Sequence, residues 1–122
     1  MKPEIKKLWV AALRSGEYQQ GTGRCMNNAT GWCCLGVLSD LHAKENGETW
    51  IQNPSPVNSD VRLYMGSAFY PPAAVREWAD FHEDEKRVSI EGAKASVAVH
   101  NDGVGVPPRS FREIADAIEA QL

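Results

Sequence analysis

The chain has 122 residues, 43% hydrophobic and 24% charged, with a formal net charge of −3. That length sets one domain, 1–122, around one core, and the composition is that of an ordinary globular protein. The acidic balance argues against direct nucleic-acid binding, and the lack of a long apolar run or a signal-peptide pattern argues against a membrane partner.

In chain order, residues 3–15 read as an amphipathic helix. Pro3 suits the first turn, Glu4 complements the dipole there, and Ile5, Leu8, Trp9, Ala12 and Leu13 make one apolar face. Arg14 lies in the last turn and Gly16 is the expected C-cap. Residues 16–31 are polar and glycine-rich, and Asn27-Asn28 suits a hairpin that pairs Gly23–Asn27 with Thr30–Cys33. A flexible loop is the alternative there.

A central helix follows, with Cys34, Val37, Leu38 and Leu41 at helical spacing and Asn46-Gly47 as its end. Trp50 and Ile51 start a short strand, after which Pro54 and Pro56 force an irregular turn. Val61, Leu63 and Met65 alternate with Arg62 and Tyr64, the period of a half-buried strand with the first three inward. Pro71-Pro72 stop it, and residues 73–81 form a short helix on Ala74, Val75, Trp78 and Phe81.

His82 to Arg87 reads as a charged turn, and Val88 with Ile90 as a strand. Residues 93–100 fit both states. Alternation of Ala93, Ala95, Val97 and Val99 favours a strand, while the alanines suit a helix. Residues 101–109 read as a long turn. Ser110 and Glu113 then form a capping box for a last helix whose face is Phe111, Ile114, Ala115, Ile118 and Leu122. The expected class is α+β, with about four helices packed on a small antiparallel sheet.

Several blocks carry a resemblance. They are Trp9 with Ala12-Leu13-Arg14-Ser15-Gly16-Glu17-Tyr18, Trp32-Cys33-Cys34-Leu35-Gly36-Val37-Leu38, Pro71-Pro72 with Val75 and Trp78, and Asn101-Asp102 with Ser110-Phe111-Arg112-Glu113-Ile114-Ala115-Asp116. In this order they resemble small uncharacterised proteins encoded by bacteriophages and prophages. The turn from Val104 to Pro108 is longer than that pattern. The resemblance implies a phage origin and, by association with that origin, a counter-defence role in the host cytoplasm. It brings no catalytic residue with it.

Three kinds of site are weighed on the residues. A cysteine nucleophile would use Cys33 or Cys34, with a thiol pKa lowered at a helix N-terminus and His100 as base, oriented by Asn101 or Asp102, in papain-like order. Against it, free cysteine is among the most buried residue types, and neighbours on a strand point to opposite faces. A metal site from Cys25, Cys33, Cys34, His42, His82 and His100 lacks any C-x-x-C or H-x-x-x-H spacing, so no metal and no cofactor is expected.

A ligand pocket would draw on Arg24, Trp32, Cys33, Tyr64, Asn101, Asp102 and Arg109. Aromatic faces and guanidinium forks stack bases and clamp phosphates, and the glycines before Trp32 let backbone N–H groups approach an anion. Trp78 and Trp9 suit the core, and Asp116 and Glu119, with Glu113, suit a solvated helix face.

The preferred reading is a non-catalytic protein that sequesters a small nucleotide-derived host signal. An inhibitor of a host defence protein, anti-CRISPR-like, is the first alternative, favoured by the acidic charge. A papain-like hydrolase is the second. A homo-oligomer fits the supply of Trp, Tyr and Arg. Three cysteines, two of them adjacent, form a poor disulfide framework and fit a reducing compartment.

Overall fold

Proline at the first position opens helix α1 (Pro3–Arg14), whose stripe Ile5, Trp9, Val10 and Leu13 is buried in the computed structural model. The model describes residues 1–21, 23–82 and 87–122. Leu8, expected on the buried face, is instead exposed, and Val10 takes its place because the stripe runs one position further round the helix. The cap is Ser15 in a helical conformation, and Gly16 follows with positive φ. Trp9 is fully buried and donates its indole N–H to the Cys34 carbonyl at 2.9 Å, which ties α1 to the helix at the centre of the core.

That central helix is α2 (Cys34–Asn46). Six consecutive residues, Cys34 to Ser39, are buried, so its first half is enclosed on all sides. Gly36 allows this: a Cβ there would overlap the Met26 carbonyl oxygen. Cys33 is the N-cap, and left-handed Gly47 closes the helix as expected.

Before α2, β1 (Asn27–Asn28) and β2 (Gly31–Trp32) form the antiparallel hairpin, shorter than the expected arms. Trp32 has another neighbour: its N–H bonds to Gln19 and its carbonyl accepts from Gly21, in a parallel bridge centred on Gln20. Gly31 and Gly21 are in close backbone contact there, and a side chain at either would overlap the neighbouring backbone.

After α2, β3 (Ile51–Gln52) pairs antiparallel with β4 (Arg62–Leu63). The expected inward alternation fails after Leu63. Tyr64 is fully buried while Met65 is exposed, because the chain turns through Met65 and Gly66, both at positive φ, and Tyr64 and Ser67 exchange backbone hydrogen bonds.

Helix α3 (Ala73–Ala79) starts after Pro72 and ends at Asp80 in the left-handed region, slightly short of the expected end. Phe81 is buried beyond it, 5.6 Å from Trp9 in an edge-to-face pair, while Trp78 is only half-buried. Most of the expected charged turn, residues 83–86, lies outside the described residues.

Strands β5 (Arg87–Ile90) and β6 (Ala93–Ser96) pair across Glu91-Gly92, both at positive φ as a two-residue hairpin turn requires. The segment 93–100 divides between the two states it fits. The strand runs to Ser96, whose hydroxyl accepts from the Val99 N–H and starts α4 (Val97–Asp102). Asn101 and Asp102 therefore end a helix and do not open the turn. The last helix, α5 (Phe111–Gln121), has both arms of its Ser110–Glu113 capping box and packs on α1. The class is α+β. Among the described residues the strands make three separate antiparallel pairs and not one sheet, and there are five helices.

Candidate functional site

Six rings, His42 of α2 and one each from five other parts of the chain, meet in a row. Trp32 stands edge-on between Tyr18 at 5.3 Å and Trp50 at 5.2 Å. Trp50 lies over Tyr64 at 5.1 Å, Tyr64 meets His42 at 5.8 Å, and His42 meets Trp78 at 5.2 Å. Asp40 organises the near end of this ladder. Its carboxylate accepts from the Tyr18 hydroxyl at 2.6 Å and from the Trp50 indole at 3.0 Å, with the Lys44 ammonium at 3.5 Å. Burial raises the Tyr18 phenol, and the Asp40 hydrogen bond adds to that effect.

At the far end, His42 Nδ1 and the Tyr64 hydroxyl share a 2.6 Å hydrogen bond. Burial lowers the His42 pKa and pushes the Tyr64 phenol up to about 12. Both shifts follow from packing the two rings together in the core.

The expected ligand residues do not line one cavity. Trp32 and Tyr64 belong to the ladder, and Tyr64 is fully buried within it. Arg24 is exposed on the loop before β1, with a φ of 61°. Asn101 and Arg109 do come together, with Gln20, Gly21, Pro108 and Ser110, around a shallow depression of about 300 Å³. Asp102 is the neighbour that accepts from the Asn101 amide at 3.1 Å. Arg109, however, is already neutralised, by Glu91 at 3.1 Å and Glu113 at 3.2 Å. An anion arriving there would face two carboxylates.

Cys33 is a buried structural cysteine. Burial pushes its thiol up to about 12 and raises the fully buried Cys34 well above the ordinary thiol value, which fits the structural reading of both cysteines and not the nucleophile alternative. Desolvation of a thiolate outweighs the dipole when no water or cation reaches the sulfur. Cys33 Sγ accepts from the Gly36 N–H at 3.4 Å and so acts as a helix cap.

His100 is also buried, and its Nε2 donates to the Val88 carbonyl at 2.9 Å, anchoring α4 to β5. Among the described residues no hydrogen bond joins it to either cysteine. His82 is exposed, 3.3 Å from Asp80. Among the described residues no three His, Cys, Asp or Glu side chains cluster as metal ligands.

One surface feature was not read from the sequence. Ile51, Val57, Met65 and Phe69 are 62%, 69%, 51% and 67% exposed, and all four fall in the segment 51–69 that carries β3, β4 and the turn after them. Of the four, only Met65 belongs to the alternation expected to point inward, with Val61 and Leu63. No helix among the described residues is long and apolar enough to cross a membrane.

Fold and surface together define a small α+β domain with a partly buried aromatic ladder and exposed apolar residues around β3 and β4. The chain belongs to DUF8296, a domain family of unknown function, whose model matches residues 1–122. No curated protein and no solved structure matches it.

Proposed function

We propose that this domain works by binding, without turnover, and that its β3–β4 lobe docks on a host defence protein. The carrying observation is the exposure of Ile51, Val57, Met65 and Phe69 within that one segment. Large apolar side chains gathered on one surface mark interaction sites. Between residues 45 and 70 the chain holds three carboxylates, Glu45, Glu48 and Asp60, and one guanidinium, Arg62. With the net charge of −3, this favours a partner whose apolar face is flanked by basic residues, as on proteins that handle nucleic acids. The phage setting rests on the resemblance of the sequence blocks, and an inhibitor of a defence protein is the role that joins setting and surface.

The test is affinity capture from lysates of bacteria carrying defence systems, comparing the native chain with an Ile51→Asp/Phe69→Asp variant. Both side chains are mostly exposed, so the variant keeps the fold. Capture of one defence protein by the native chain and its loss with the variant supports the reading. Equal capture by both overturns it, as does a native dimer that the variant splits without any foreign partner.

A further inference from the structure

We infer that the outer edge of β3 takes up an extended segment of the partner protein as an added strand. This rests on the reading that the segment around β3 and β4 docks on a protein, and it names the part of the partner that is held and the groups that hold it.

The phase of the β3–β4 ladder carries the argument. The Asn53 N–H donates to the Val61 carbonyl at 2.9 Å, in register with the pairs Ile51–Leu63 and Gln52–Arg62. Main-chain groups along an antiparallel strand face its neighbour at every second residue. Ile51 and Asn53 therefore turn theirs toward β4, and Gln52, between them, turns its N–H and C=O away. By the same alternation the main chain of Trp50, one residue before β3, faces outward with Gln52. Among the described residues no hydrogen bond reaches the main-chain N–H or C=O of either. Both residues of β3 are exposed.

The other long hairpin makes the contrast. On the outer edge of β5 the Gln121 side chain accepts from the Ser89 N–H at 2.7 Å and donates to the Ser89 carbonyl at 2.8 Å, the two bonds an incoming strand would make. That edge is covered, and the β3 edge is not. Unpaired main-chain groups on an exposed edge are a template for another extended chain.

The neighbours define the segment. Ile51 gives it an apolar contact on one face of the strand. Glu48 before β3 and Asp60 before β4 stand at opposite ends of the antiparallel pair, both exposed and neither in an ion pair among the described residues. Apolar residues alternating with basic ones fit both features. A second copy of this chain would bring the same negative charges to the joint.

The test is titration of the full chain, labelled for NMR, with a short acetylated peptide of alternating valine and lysine. Binding should slow hydrogen exchange at the Gln52 and Trp50 amides, and a fully N-methylated version of the peptide should not bind. Gln52→Pro removes the outward N–H, a substitution that an edge strand tolerates, and should weaken binding by about tenfold. Gln52→Thr loses the same side-chain bond to the Ser59 carbonyl but keeps the N–H, and should bind like the native chain. Equal binding of the N-methylated peptide overturns the inference. So does native-like affinity in Gln52→Pro, protection confined to other amides, self-pairing of β3 between two copies, or no binding of the peptide. Each of these leaves the capture comparison with Ile51→Asp/Phe69→Asp as it stands, so strand addition can fail while side-chain docking holds.

Discussion

The side-chain amide of Gln20 donates to the Asn101 side-chain oxygen at 2.9 Å, across 81 residues of sequence. The same nitrogen donates to the Arg109 carbonyl at 2.8 Å, and Gln20 Oε1 accepts from the Phe111 N–H at 3.0 Å. One side chain thus ties the loop beside β2 to α4 and also caps a free N–H at the start of α5. Gln20→Ala should cost about 2 kcal/mol, a drop of roughly 8 °C in a domain of this size, because it strands partly buried partners. Thermal denaturation checks it, with the exposed neighbour Gln19→Ala expected to stay within about 0.5 kcal/mol of the native chain.

Asp40 should be the sensitive point of the aromatic ladder. Asp40→Ala leaves the Trp50 indole N–H without its acceptor and the Tyr18 hydroxyl with Lys44 alone. A loss of about 2 kcal/mol is expected, with tryptophan emission moving to longer wavelength as Trp50 gains water. Asp40→Asn keeps one carbonyl acceptor and should lose less. Equal losses for both variants would mean that the carboxylate hydrogen bonds do not hold the ladder.

Stability should fall at both ends of the pH scale for separate reasons. The folded His42 pKa is lowered by burial, so below the ordinary value of 6.5 the unfolded chain binds a proton that the folded chain resists. That contribution is complete above pH 6.5 and is lost as the pH falls. Tyr64 and Cys33 are raised to about 12 from 10.0 and 9.0, so their contributions are complete below those ordinary values and are lost as the pH rises toward 12. Denaturant midpoints across pH should show both declines. Tyr64→Phe should flatten the alkaline one.

Alkylation separates a buried cap from a nucleophile. Cys33 and Cys34 should resist iodoacetamide at pH 8 in the native chain and react at the ordinary rate once denatured, since burial suppresses both thiolate and access. Mass spectrometry of the labelled peptides reads this. Rapid labelling of one native cysteine would return the papain-like reading to consideration.

What was legible in the sequence was what neighbours decide. The capping box at Ser110 and Glu113, the left-handed stop at Gly47 and the apolar stripe of α1 all lie within a turn or two of the residues they govern. Ser96 shows the limit. Ala93, Ala95, Val97 and Val99 satisfy a period of two, and burial of Val97 and His100 under β5 turns the second half into a helix. Tyr64 shows it again, since a tight turn at Met65-Gly66 reversed the expected faces. For the candidate site, the residue types were legible but their meeting was not. Asp40, Gln20 and His42 reach partners 10 to 91 residues away.

Gly36 should be the least replaceable glycine. Inside a helix alanine is favoured over glycine by about 1 kcal/mol, so Gly36→Ala on propensity alone would stabilise α2. Packing reverses the sign. The new methyl would overlap the Met26 carbonyl oxygen, which accepts the Cys33 N–H at 3.0 Å and holds β1 against the start of α2. The backbone cannot rotate away as a side chain would, so a net loss of about 3 kcal/mol is expected. Gly47→Ala supplies the comparison. Its Cβ meets open space, and only the left-handed φ of 68° is strained, at a cost of about 1 kcal/mol. Chemical denaturation of both variants decides between packing and propensity: a Gly36→Ala chain as stable as Gly47→Ala would mean that β1 and α2 separate easily.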